Sequence, residues 1–158
     1  MSDTEQLYLK ADLEDRAGLD SITLNEEGRL RHSRSSLLED ALGVEPKVTC
    51  SGGYQGTYTF VLVVDDILWV IKDSYGSCGL CDGLLHAKNY TGRDDKEEGL
   101  EAVRNYAQSM MRNAYAFDNK NDAVRFVHQA AEGDLDVSGW AWSDVDEGTI
   151  ESINEVEF

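Results

Sequence analysis

Between Thr57 and Ile71 the side chains alternate with a period of two, and this stretch most constrains what the chain can fold into. Tyr58, Phe60, Leu62 and Val64 fall on one side of an extended backbone, with Thr57, Thr59, Val61 and Val63 on the other. The first side is wholly apolar, as expected of a strand laid against a core. Asp65-Asp66 separates this run from Ile67-Leu68-Trp69-Val70-Ile71, a gap that fits a two-residue hairpin turn although neither residue is glycine. Residues 47–50 add a further strand, joined by the loop Ser51-Gly52-Gly53-Tyr54-Gln55-Gly56, so the predicted sheet is an antiparallel meander.

Helical spacing appears on either side of this sheet. Leu100, Val103, Tyr106, Ala107, Met110, Met111 and Ala114 form one stripe, and Asp94, Asp95, Glu97 and Glu98 precede it at the end where the helix dipole favours negative charge. Ala123, Val124, Phe126, Val127, Ala130 and Ala131 predict a second helix after Asn119-Lys120-Asn121-Asp122, ended by Gly133. Upstream, Ser36-Leu37-Leu38-Glu39 has capping-box spacing, which predicts a short helix over residues 37–42 closed by Gly43, with Pro46 beyond it. Ile22-Thr23-Leu24 and Arg29-Leu30-Arg31 read as two strands around a turn, and Trp140-Ala141-Trp142 alternates like another. From about residue 146 the tail reads as an edge strand or a loose end. The fold class expected is therefore α+β, an antiparallel sheet of hairpins packed against two or three helices, with residues 1–158 forming a single acidic domain.

Charge narrows the classes of partner. Thirty-one Asp and Glu against fourteen Lys and Arg give a net charge of -17, which repels nucleic-acid phosphates and anionic lipid alike. Glu132 to Phe158 holds nine of the acidic residues and no Lys or Arg, so the C-terminal end is the most negative. Solubility and adaptation to a salty cytoplasm both account for such acidity; so does a surface shaped to meet a basic partner protein or to imitate the phosphates of a nucleic acid. Asp144, Asp146, Glu147, Glu151, Glu155 and Glu157 are the candidate partner-binding carboxylates, and Trp140 and Trp142, on one side of their expected strand, are candidate anchors. The opening Met1-Ser2-Asp3-Thr4-Glu5 has no secretory signature, and the apolar run at residues 60–71 is interrupted by Asp65-Asp66, so a cytoplasmic protein without a membrane span is expected.

Three cysteines are too few and too odd in number for a disulfide framework, and two form Cys78-Gly79-Leu80-Cys81 among the glycines 76, 79 and 83. A tight Cys-x-x-Cys turn can place two thiolates on one ion. That is half of a tetrahedral zinc site, and Cys50 and His86 are the leading candidates to complete it, with Asp82, His32 and His128 further choices. Thiol-redox chemistry is the other reading of the motif, although the βαβ context and facing proline of thioredoxin-like proteins are missing. Small buried cysteines packing a glycine-rich turn explain the same residues without chemistry. Gly52-Gly53-x-x-Gly56 lacks the Lys-Ser or Lys-Thr of a phosphate loop, and the three histidines suggest no catalytic triad; His128 reads as packed against its helix stripe.

Tyr54-Gln55-Gly56, followed two strands later by Tyr75-Gly76-Ser77-Cys78-Gly79-Leu80-Cys81-Asp82-Gly83-Leu84, resembles a pattern in small uncharacterised proteins of bacteria and their viruses. The resemblance spans about residues 47 to 85 and implies no activity, but it does imply a viral or mobile-element accessory protein. The leading expectation is thus a non-catalytic acidic protein, such as a counter-defence factor, that occupies a basic surface of a partner. A Cys-x-x-Cys zinc or redox protein is the alternative, and an enzyme whose site the sequence does not reveal is a third. The oligomeric state is not legible.

Overall fold

The structure is a computed structural model, and it describes residues 9–10, 13–23, 33–52, 56–75, 96–112, 114–131 and 147–158. Five strands form one antiparallel sheet: β1 (Leu9–Lys10), β2 (Lys47–Gly52), β3 (Gly56–Val64), β4 (Ile67–Tyr75) and β5 (Ala114–Phe117), in the spatial order β1-β5-β4-β3-β2. Four helices accompany them among the described residues: α1 (Arg34–Leu42), α2 (Lys96–Met111), α3 (Lys120–Ala131) and α4 (Glu147–Glu155). The α+β class and the β2-β3-β4 meander are as the sequence predicts.

The alternation of β3 and β4 becomes a sheet with two covered faces. Phe60, Leu62, Val64, Trp69 and Ile71 face a core completed by Leu37 and Leu38 of α1, Val103, Ala107, Met110 and Met111 of α2, and Leu13 and Ile22 from two short 3-10 turns. Val61, Leu68 and Val70 face the opposite way, toward Tyr115 and Phe117 of β5, Ala123, Phe126 and Val127 of α3, and Ile153 of α4. The register explains the division: Phe60 lies opposite Ile71 and Leu62 opposite Trp69, while Val61 lies opposite Val70 and Val63 opposite Leu68. Phe126 anchors the second face between two rings, 4.8 Å from Tyr115 and 5.3 Å from Phe117 between centroids. Trp69 is core, as expected, and its indole N–H donates to the Val64 carbonyl at 3.3 Å.

The two-residue turn survives without glycine. Asp65 and Asp66 both adopt positive φ, 55° and 61°, the combination that matches the right-handed twist of a hairpin. Aspartate tolerates this region better than most residues, and Arg16 lies 3.3 Å from Asp65 while its guanidinium sits 5.3 Å from the Trp69 ring centroid.

Several boundaries differ from the sequence expectation. α1 begins three residues earlier than predicted, because the cap is Ser33: its hydroxyl accepts from the Ser36 N–H at 3.1 Å while the Ser33 N–H donates to the Ser36 hydroxyl at 2.9 Å. Gly43 closes the helix in the left-handed conformation, φ 74°, with its N–H on the Glu39 carbonyl at 2.8 Å. Ala114, placed by periodicity on the α2 stripe, instead opens β5, where it pairs with Ile71. α3 starts at Lys120, because Asn119 caps it by accepting from the Asp122 N–H at 2.8 Å. His128 is exposed rather than packed. Ile22 and Thr23 follow a 3-10 turn and belong to no strand; their expected partner strand lies outside the described residues.

The largest correction concerns the C-terminus. The tail from about residue 146 is neither loose nor an edge strand, since Glu147–Glu155 is helix. Ile150, Ile153 and Val156 pack into the second core, and the Ser152 hydroxyl meets the Thr49 hydroxyl of β2 at 3.2 Å. Lys120 of α3 donates to the Asn154 carbonyl at 2.8 Å, placing a cation on the negative end of the helix dipole.

Candidate functional site

Two groupings of side chains bear on function. The first is the acidic surface. α4 presents Glu151 and Glu155, both exposed, and Glu157 follows the helix, also exposed. Glu147 is the first residue of α4. Asp144, Asp146, Trp140 and Trp142 lie outside the described residues. The sequence shows no cation among these carboxylates, but the fold supplies one: Lys47 of β2 comes within 4.0 Å of Glu155.

Elsewhere the fold treats the two signs of charge unequally. Eleven of the thirteen acidic residues with described surroundings are exposed: Asp20, Glu39, Asp40, Glu45, Asp65, Asp66, Glu101, Asp118, Glu151, Glu155 and Glu157. Of eight basic residues, only Arg16, Arg112 and Arg125 are. Arg34 and Lys72 are buried. Arg104 is spent on backbone, its Nε donating to the Ile22 carbonyl at 2.9 Å and its Nη2 to the Asp20 carbonyl at 3.3 Å. The described surface is therefore more negative than the composition implies.

The second grouping was not anticipated from the sequence. Arg34, the first residue of α1, donates through Nε to Asp73 Oδ2 of β4 at 2.6 Å, and the Tyr106 hydroxyl of α2 donates to the same oxygen. The Arg34 guanidinium also lies 5.3 Å from the Tyr58 ring centroid and 5.6 Å from that of Tyr106. The arrangement has a cause in the strand register: Cys50 lies opposite Tyr58, and Tyr58 opposite Asp73, so these three share one row and one face. A cation at the start of a helix is disfavoured by the dipole, and α1 has no acidic residue in its first turn; Asp73 supplies the missing negative charge from across the core. Burial, followed by the negative Asp73, holds the Tyr106 hydroxyl well above the ordinary tyrosine range, against a smaller opposing pull from Arg34. Tyr106 is thus a hydrogen-bond donor at neutral pH, not a nucleophile or base. The cluster ties α1, α2 and β4 together.

Of the candidate metal ligands, Cys50 is placed on β2 and exposed, whereas Cys78, Cys81 and His86 lie outside the described residues. Among the described residues no three His, Cys, Asp or Glu side chains are grouped closely enough to hold a metal ion. Likewise, no described helix is long and apolar enough to cross a membrane. No protein-family model, curated protein or solved structure matches the chain.

Proposed function

We propose that the chain is a non-catalytic binding protein that lays an acidic surface against a basic surface of another protein, in the manner of a viral or mobile-element accessory or counter-defence factor. One observation carries the reading: eleven exposed carboxylates face three exposed cations among the described residues, where Arg34 and Lys72 are buried and Arg104 and Lys120 are bonded to backbone carbonyls. A surface with that imbalance attracts a basic partner over roughly 8 Å at physiological salt and steers its approach. α4 adds rigidity, since its carboxylates project from a helix docked on the sheet and not from a free tail.

The test replaces Asp144, Asp146, Glu147, Glu151, Glu155 and Glu157 by Asn or Gln and compares capture of host proteins by the wild-type and neutralised chains across a salt series. Wild-type capture should weaken as salt rises, and the neutralised chain, folded normally by circular dichroism, should lose it. Capture indifferent to both changes would mean that the acidity serves solubility alone.

A further inference from the structure

We infer that the partner docks on the end of the sheet around the Asp65-Asp66 turn, and that its basic surface carries an apolar side chain between its cations. This inference rests on the acidic-surface reading and gives that surface a place. The topology brings six exposed carboxylates to this end. Asp65 and Asp66 are the turn itself, just beyond the last pair of β3 and β4, Val64 and Ile67. Phe117 lies opposite Leu68, so Asp118, the next residue along, falls beside the turn. Lys47 opens β2 opposite Val61, and Glu45 precedes it by two residues. α4 delivers the other two: Glu155 comes within 4.0 Å of Lys47, and Glu157 follows it. From β5 to β2 is three strand spacings, about 14 Å, so the six fit within one side of a specific interface, about 800 Å².

Two observations distinguish this end from the rest of the acidic surface. The first is apolar: Val48, 41% exposed, and Phe158, 48% exposed, are the only large hydrophobic side chains exposed among the described residues. Val48 adjoins Lys47, and Phe158 lies three residues past Glu155, at most about 11 Å of chain. Apolar side chains ringed by charge suit the centre of a protein interface, whereas a surface built for solubility alone gains nothing from them. The second is how the local cations are used. Arg16 pairs with Asp65 at 3.3 Å, Lys47 faces Glu155, and Lys120 is bound to the Asn154 carbonyl. Glu45, Asp66, Asp118 and Glu157 have no ion pair among the described residues, which leaves four charges to meet a partner's Lys or Arg. A second copy of this chain is a poor occupant, because a net charge of -17 opposes its approach. A metal ion is a poor one too, since no three of the described carboxylates are close enough to share it.

The experiment follows amide chemical shifts of the isotope-labelled full chain, and peptide affinity, with two synthetic peptides of equal charge, one of Lys and Gly and one of Lys and Leu. Shifts caused by the Lys-Leu peptide should concentrate at residues 45–48, 65–66, 118 and 155–158, while Glu101, an exposed carboxylate on α2, stays unmoved. Val48→Ser with Phe158→Ser should weaken the Lys-Leu peptide about 5- to 30-fold, the loss expected of anchor side chains, and leave the Lys-Gly peptide unchanged. Glu45→Gln, Asp66→Asn and Asp118→Asn together should weaken both peptides at least about 3-fold, the lower limit for three exposed ion pairs. Asparagine accepts the positive φ of Asp66, so this variant keeps the hairpin. Shifts as large at Glu101 as at the turn, or a Lys-Leu peptide indifferent to the Val48 and Phe158 substitutions, would overturn the placement and leave the acidic surface standing. So would host capture that is lost on neutralising the α4 carboxylates but unaffected by the Glu45, Asp66 and Asp118 changes. Shifts at the turn end that grow with protein concentration alone would overturn it by making a second copy the occupant. Host capture that survives neutralisation of α4, by contrast, would refute the functional reading, whatever the peptides do.

Discussion

Removing the Asp73 carboxylate should unfold the protein more readily than any surface change of similar size. Arg34 and Asp73 expose only 9% and 16% of their side chains, so the magnitude for a buried pair applies and not that for a surface pair. Asp73→Ala removes the carboxylate that offsets a buried guanidinium and takes the acceptor from the Tyr106 hydroxyl, a loss of about 3–5 kcal/mol. With a urea slope of about 2 kcal/mol/M, the unfolding midpoint falls by about 2 M. The uncompensated buried charge, not the loss of attraction, is the cause, so removing Arg34, Asp73 and the Tyr106 hydroxyl together should cost less than removing Asp73 alone. The triple variant Arg34→Met, Asp73→Leu, Tyr106→Phe is expected within about 2 kcal/mol of wild type, as when buried ion pairs elsewhere are replaced by apolar residues. Urea unfolding followed by tryptophan fluorescence measures both. An Asp73→Ala cost below about 1 kcal/mol, or a triple variant as unstable as the sum of its singles, would refute the reasoning.

Tyr106 gives the same cluster a pH signature. Its folded-state ionisation is raised from the ordinary 10.0, so its contribution to stability is complete below pH 10 and is lost as pH climbs through the folded value. Tyr106→Phe should cost about 1.5–3 kcal/mol at neutral pH and flatten the alkaline fall in the urea midpoint; a fall unchanged by the substitution would assign it to other groups. At the hairpin, Asp66→Gly should stabilise by about 0.5–1 kcal/mol by relieving a positive φ of 61°, read as a rise in melting temperature. In the second core, Phe126→Ala should cost about 3–5 kcal/mol, whereas Val48→Ala, at a side chain 41% exposed, should stay within about 0.5 kcal/mol.

What was legible in the sequence is what local periodicity can carry. The alternation in β3 and β4 fixed strands, turn and register, because a slip of one residue would have turned Phe60 and Leu62 away from α1 and α2. Periodicity could not show that both faces are covered, since Val61, Val63, Leu68 and Val70 are equally consistent with a half-solvated face until α3 and α4 are placed. It also misassigned Ala114, which lies in helical phase with Met110 and Met111 yet is claimed by pairing with Ile71. The tail misled for a related reason: Glu147–Glu155 looks too polar to pack, but Ile150, Ile153 and Val156 suffice with Thr149 and Ser152 buried and the Ser152 hydroxyl on Thr49 of β2.

The site was legible only in its net charge. Arg34, Asp73 and Tyr106 are separated by 39 and 33 residues from partner to partner, and no local spacing links an arginine at the start of one helix to an aspartate near the end of a strand. A residue count weighs every charge alike, whereas the fold assigns the cations structural work. Arg34 closes a core, Arg104 holds two carbonyls of a 3-10 turn, and Lys120 caps α4. Neutralising Arg104 or Lys120 should therefore lower stability through lost hydrogen bonds, by about 1.5–3 kcal/mol each, while making the surface only slightly more acidic. The opposite holds for Glu151 and Glu155, whose neutralisation should leave stability within about 0.5 kcal/mol and act on partner binding alone. If both sets of substitutions changed stability equally, the carboxylates too would be structural, and the separation between internal cations and outward anions on which the binding surface depends would fail.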